Sequence, residues 1–216
     1  MILHCIYLTC LLLSTAFAWI YRKGLKSRQL FIFIPYLSLL FIQELSLFFF
    51  SLKSPNKSTG IVYNIYQPIC AVVLAFFYYH IPFNAPLRKL IIWLVSVYLV
   101  VVLATFSFIL SVNTYNSYLS LAGGLVITCC AIFFLFNYFN LDNRVQEKHW
   151  RPVIWITIGI VLFYPVVNIS FAFYKHLLAY RADVFGFKLY QVIPQLMSIF
   201  MYSCFTYAFY LCKKKN

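Results

Sequence analysis

The sequence predicts an all-α fold: one polytopic membrane domain spanning residues 1–216, built as a bundle of seven transmembrane helices with the N-terminus outside and the C-terminus in the cytoplasm. Two observations carry that reading. Hydrophobic residues make up 64% of the chain and charged residues 10%, against roughly 45–50% and about 25% in a soluble domain. The charges also sit in short clusters between apolar runs long enough, at about 20 residues, to cross a bilayer as helices.

The first run, 2–20, ends near Ala16-Phe17-Ala18, which imitates a signal-peptide cleavage site. No basic residue precedes it, and Arg22, Lys23, Lys26 and Arg28 follow closely, so it reads as a retained span. The second run, 30–51, stops at the polar stretch from Lys53 to Gly60, and the third, 61–80, stops before Pro82 and Pro86. The fourth, 90–111, gives way to Asn113 and Asn116, and the fifth, 118–139, to Asn140, Asp142 and Asn143. The sixth, 153–174, opens after Arg151-Pro152, and the seventh, 188–211, closes before Lys213. Asn, Gly and Pro between apolar runs are ordinary loop chemistry. Connections this short leave no room for a soluble domain.

Of 17 Lys and Arg, twelve fall after spans one, three, five and seven, against five in the alternate loops. The positive-inside bias then puts the tail and the first loop in the cytoplasm. Lys175, Arg181 and Lys188 in the sixth loop run against the trend. The expected location is the inner, cytoplasmic membrane of a bacterium, with the lipid bilayer as the first partner. A net charge of +13 invites a nucleic-acid reading, but its dispersal into membrane-flanking loops argues against it.

The chain has four acids, Glu44, Asp142, Glu147 and Asp183, and only Glu44 lies in a span. An intramembrane carboxylate is costly and marks a functional site by default. His4, Asn64, Gln67, Asn168, Gln191 and Gln195 fall at similar depth in spans one, three, six and seven once orientation is applied. Gln191, Gln195, Ser198, Tyr202 and Thr206 share one face of span seven, and Thr157, Tyr164 and Asn168 one face of span six. These positions predict a polar pocket in the outer half of the bundle. Its ligand-binding residues would be Glu44, Asn64, Gln67, Tyr164, Asn168, Gln191 and Gln195, and its ligand a small molecule or a lipid. The competing reading is interhelical glue, since hydrogen bonds among Asn, Gln and Tyr hold helices together at roughly 1 kcal/mol or less each.

The remaining features read as structural. Seven cysteines lie in or beside apolar stretches with no metal-type spacing, as inert buried thiols do. His80, His149 and His176 sit at a span end or in loops. Pro35, Pro68, Pro165 and Pro194 fall inside spans and predict kinks. Gly123-Gly124 predicts close helix approach.

Several activities are excluded by residues that are missing. No lysine lies between Lys188 and Lys213, so the last span has none for a retinal Schiff base. No His-Glu-x-x-His motif occurs, and the spans hold one acid where aspartyl proteases need two. Hydrolases of the ceramidase and lysoplasmalogenase kind need several converging acids or histidines, whereas this chain offers Glu44 and His4, which disfavours hydrolysis while leaving a single-base reaction open. Neither an enzyme, a metal site nor a cofactor is expected.

Pro194-Gln195 is similar to the signature pair of the PQ-loop transporters, but that family carries it in the first helix of each repeat, and here the third span has the reversed Gln67-Pro68. Over nearly the whole chain the pattern resembles uncharacterised seven-span proteins of Bacteroidetes-type bacteria. The features are the basic loop after span one, Gln43-Glu44 in span two, Tyr63 to Tyr66 opening span three, and Trp155 to Gly159 with Phe163-Tyr164 in span six. Their layout looks like the membrane-sensor half of seven-span receptor kinases without the kinase. The resemblance implies a sensor or receptor, signalling through a separate cytoplasmic partner because the inner loops are too short for an effector. A small proton-coupled transporter using Glu44 is the alternative, and a structural or assembly protein the third.

Overall fold

The computed structural model describes residues 2–53, 60–81, 85–109, 116–140, 147–173, 183–184 and 187–213. Its helices are α1 (Ile2–Ile20), α2 (Arg22–Ser27), α3 (Phe33–Lys53), α4 (Gly60–His80), α5 (Ala85–Ala104), α6 (Ser117–Asn140), α7 (Glu147–Ala172) and α8 (Leu189–Tyr210). A π-helical turn, Thr105–Ile109, extends α5. A two-residue antiparallel ladder, β1 (Asp183–Val184) with β2 (Phe187–Lys188), precedes α8 and pairs Asp183 with Lys188. Apart from this ladder and short turns the described chain is helical, and seven of its helices are long and apolar enough to cross a membrane. The protein is thus built as a multi-pass membrane bundle. Below, the end of the bundle where α1 begins and α3 finishes is its N-terminal end, and the opposite end its C-terminal end.

The helices form where hydrocarbon leaves the backbone no other hydrogen-bonding option. Their hydroxyls follow the same rule by turning back onto the carbonyl four residues earlier. Thr15 bonds Leu11 at 2.8 Å, Ser46 bonds Ile42 at 2.7 Å, Thr128 bonds Gly124 at 2.7 Å and Thr157 bonds Val153 at 2.8 Å. Each span buries one stripe: on α1 it is Tyr7, Leu11, Thr15 and Ala18, while Ile6, Leu12, Leu13 and Ile20 face outward. That spacing is the helical repeat.

The main interfaces join α7 to α8, α8 to α1, α1 to α3, α6 to α7 and α4 to α6. The most apolar span, in α5, packs on α4 and α6 and is the least buried, at 17% against 44% for α6 and α7. Close approach depends on small residues. A Cβ on Gly159 would lie 3.1 Å from the Cys204 Cβ and 3.3 Å from the Met201 carbonyl oxygen, so this glycine lets α7 and α8 come together.

Helix boundaries differ from the hydropathy runs for a physical reason. α5 begins at Ala85, five residues before position 90, and α7 at Glu147, with Pro152 inside it. A helix continues past the hydrocarbon wherever its polar flank can be solvated, and hydropathy does not register that. Pro35 lies in the first turn of α3, which starts at Phe33, so its missing N–H leaves no helical bond broken. Pro68, Pro165 and Pro194 are interior to α4, α7 and α8.

Helix α2, Arg22–Ser27, is too short and basic to read from the sequence as anything but loop. It ends in a Schellman motif: the Leu30 N–H donates to the Leu25 carbonyl at 2.9 Å and the Gln29 N–H to Lys26 at 3.4 Å, with Gln29 left-handed at φ 59°. Leu25 and Leu30, both fully buried, supply the apolar contact that accompanies this cap. α2 then lies on the end of α8, where a Cβ on Gly24 would overlap the Cys212 carbonyl oxygen. Arg28 hydrogen-bonds the Cys212 thiol. Burial pushes that thiol up to about 11, although Arg28 pulls the other way.

Candidate ligand-binding cavity

A partly open space of about 170 Å³ lies inside the bundle, lined by residues of α1 and α3 to α8. Each helix brings residues in register. α3 contributes Tyr36, Leu40 and Glu44, one turn apart along a single face. α4 contributes Tyr63, Tyr66, Gln67, Cys70 and Ala71, which follow the three-four step of a helical stripe. Tyr164 and Asn168 come from α7, Ser198 and Tyr202 from α8, Tyr7 from α1 and Tyr98 from α5. The wall therefore holds seven tyrosines and one carboxylate.

The polar groups are organised into two hydrogen-bonded chains. In the first, the Tyr7 hydroxyl donates to the Glu44 carboxylate, and Tyr7 also bonds Tyr202. In the second, Tyr36 bonds Tyr66 and Tyr164, and both Tyr36 and Tyr66 bond the Cys70 thiol. Burying a hydroxyl unpaired costs several kcal/mol, roughly, in a medium like this, so pairing the phenols with one another is what allows so many at one level. Two glycines of α6 make the wall thin. A Cβ on Gly123 would lie 2.8 Å from the Tyr98 hydroxyl, and one on Gly124 would overlap the Asn168 amide oxygen. Asn168 uses the room at Gly124 to donate to the Leu121 carbonyl at 3.3 Å.

One helical turn toward the N-terminal end lies a second layer. His4 stacks on Phe48, with centroids 5.2 Å apart and planes 20° from parallel, and tilts against Tyr7 at 5.5 Å. The Gln195 amide meets the His4 Nδ1 at 3.4 Å. These three side chains roof the Tyr7–Glu44 pair.

The sequence-predicted residues divide accordingly. Glu44, Gln67, Tyr164 and Asn168 line the cavity together. Gln195 belongs to the roof. Asn64 is buried elsewhere, accepting the Asn116 backbone N–H at 2.9 Å, while the Asn116 side chain accepts the Tyr118 N–H at 3.0 Å. Asn116 is thus the N-cap of α6, and Asn64 pins that cap to the start of α4. Gln191 lies in α8, and its side chain is outside the described residues, as are those of His149 and His176.

Apart from Tyr164 and Tyr202, the tyrosines were the unread part of the site. Tyr7, Tyr36, Tyr66 and Tyr98 look like apolar or interfacial residues one at a time, yet Tyr63, Tyr66, Gln67 and Cys70 already stand at stripe spacing. No family model, no curated protein and no solved structure matches this chain.

Proposed function

We propose that this protein is a seven-helix membrane receptor of the sensor type that takes a small or lipidic ligand into the Glu44 cavity. The observation that carries the reading is the cavity itself: a partly open volume with a single acid and two paired phenol chains, at a depth where hydrocarbon packing would ordinarily leave no space. Engineered cavities of about 150 Å³ hold a benzene-sized guest, so the space matches a ligand of that scale. Oriented by the positive-inside bias, the N-terminal end faces outward and the roof of His4, Phe48 and Gln195 lies toward the outer surface of the inner membrane. Signal output then passes to a separate cytoplasmic protein at the basic C-terminal end.

A proton-coupled transporter is the second reading, favoured by the Glu44–Tyr7–Tyr202 chain next to the proline-containing α8, since such carboxylates serve as coupling groups. Proton-dependent flux in vesicles that disappears in Glu44→Gln distinguishes it from the sensor, which binds without flux. The first test is native mass spectrometry of the protein in mild detergent, wild type beside Glu44→Gln. A co-purifying species present in the wild type and lost in the variant is expected. Identical bare spectra for both return the polar network to a packing role.

A further inference from the structure

We propose that the cavity selects a small organic cation, a compact alkylammonium or quaternary ammonium group. The inference rests on the cavity being a ligand site, as proposed above, and adds the charge and shape of what enters it.

Charge comes first. Glu44 is the only acid in any span, it is 7% exposed, and among the described residues no Lys, Arg or His lines the cavity, the nearest base being His4, which lies in the roof stacked on Phe48 and against Tyr7. A carboxylate offers about four lone-pair sites, and the Tyr7 hydroxyl fills one. A buried carboxylate is stable when its charge is matched, and here the empty space beside it is where a matching charge fits.

The walls point the same way. The Tyr36, Tyr66, Tyr164 and Cys70 hydroxyls and thiol are engaged with one another, and Tyr202 with Tyr7. What such walls offer a guest is aromatic ring more than free hydrogen-bonding groups. Ring faces attract cations through their quadrupole, and cages of several aromatic rings are the known solution for quaternary ammonium groups. A hard metal ion is a poor match, because six to eight oxygen ligands including several carboxylates are its usual requirement and one carboxylate is supplied. A large lipid headgroup is a poor match for about 170 Å³.

The test uses the full chain in lipid nanodiscs and isothermal titration with choline and with 3,3-dimethylbutan-1-ol, its uncharged carbon analogue. Choline is expected to bind and the alcohol not to. Glu44→Gln should weaken choline at least about a hundredfold, in line with removal of one partner of a desolvated charge pair. Tyr202→Phe, which keeps the ring, should bind within about threefold of wild type, whereas Tyr202→Leu should lose about tenfold or more. The tyrosine pair keeps the test decisive if Glu44→Gln does not fold. Equal binding of the alcohol, or equal binding by the Phe and Leu variants, overturns the cation inference and leaves the ligand site standing. No binding of either probe, with a co-purified uncharged species in native mass spectra, does the same. No binding and no co-purified species removes both.

Discussion

Two levels of the bundle, the C-terminal end and the middle, solve the same packing problem with different aromatic residues. Toward the C-terminal end, Phe33 sits among Phe77, Phe205 and Phe209, with centroids 4.9, 5.5 and 6.0 Å away. All four are at most 3% exposed. Their edge-to-face and tilted rings interlock without a hydroxyl among them, as aromatic pairs prefer. In the middle of the bundle seven tyrosines surround a void. Phenols must pair, pairing fixes ring positions, and rings held apart by hydroxyl contacts cannot collapse onto one another. The first level is dense because none of these four rings needs a partner, and the second stays open because its phenols do.

Three substitutions bear on that contrast. Phe33→Ala should be the most damaging, costing about 3–5 kcal/mol as a large deletion in a close-packed core, and should appear as a large drop in melting temperature in detergent. A small drop would mean the phenylalanine cluster is not the stability centre.

Gly24→Ala comes next, at about 1–3 kcal/mol, the usual cost of overpacking, because the new methyl would meet the Cys212 carbonyl. It also has a chemical signature. With its thiol held near 11, Cys212 is thiolate to only about one part in a thousand at pH 8 and reacts slowly with maleimide. If α2 lifts away in the variant, the group loses its cover and alkylation at pH 8 accelerates, which peptide mass spectrometry can follow. The same thiol gives a pH dependence. The unfolded chain ionises it near 9.0, its ordinary value, so its contribution to stability is complete below that pH and is lost as pH rises through about 11.

Tyr36→Phe should have the smallest effect on folding, about 1 kcal/mol or less by the worth of an intramembrane hydrogen bond. It removes the hydroxyl that joins Tyr66, Tyr164 and Cys70. A loss as large as that of Phe33→Ala would show the cavity wall to be as load-sensitive as the dry core.

The spans were legible because an apolar run of sufficient length has one stable form in hydrocarbon. The ends were less so, since Arg88, Lys89 and Pro152 sit in helix that hydropathy treats as loop. Within the site, Glu44, Gln67 and Asn168 were visible as polarity out of place. Asn64 sits at the right depth on a different side, because depth follows from counting residues while azimuth depends on how each helix is rotated against its neighbours, and Gln195 sits on the cavity-facing stripe of α8 but one turn nearer the N-terminal end. The tyrosine wall was hidden by its own chemistry. Each ring is apolar enough to pass as core, and only the packed bundle brings the hydroxyls together.

That wall also separates the protein's two natural chromophores. Trp19 and Trp93 are more than half exposed, Trp155 is 38% exposed and packs against Tyr207 at a 4.9 Å centroid distance, and no tryptophan lines the cavity. Three of the four indoles therefore face outward, while Trp150 packs on Phe134 of the core at a 6.2 Å centroid distance, and seven of the chain's 18 tyrosines stand around the cavity. Excitation at the red edge of indole absorption, which tyrosine does not share, therefore samples mainly the outer surface of the bundle and leaves the cavity wall dark.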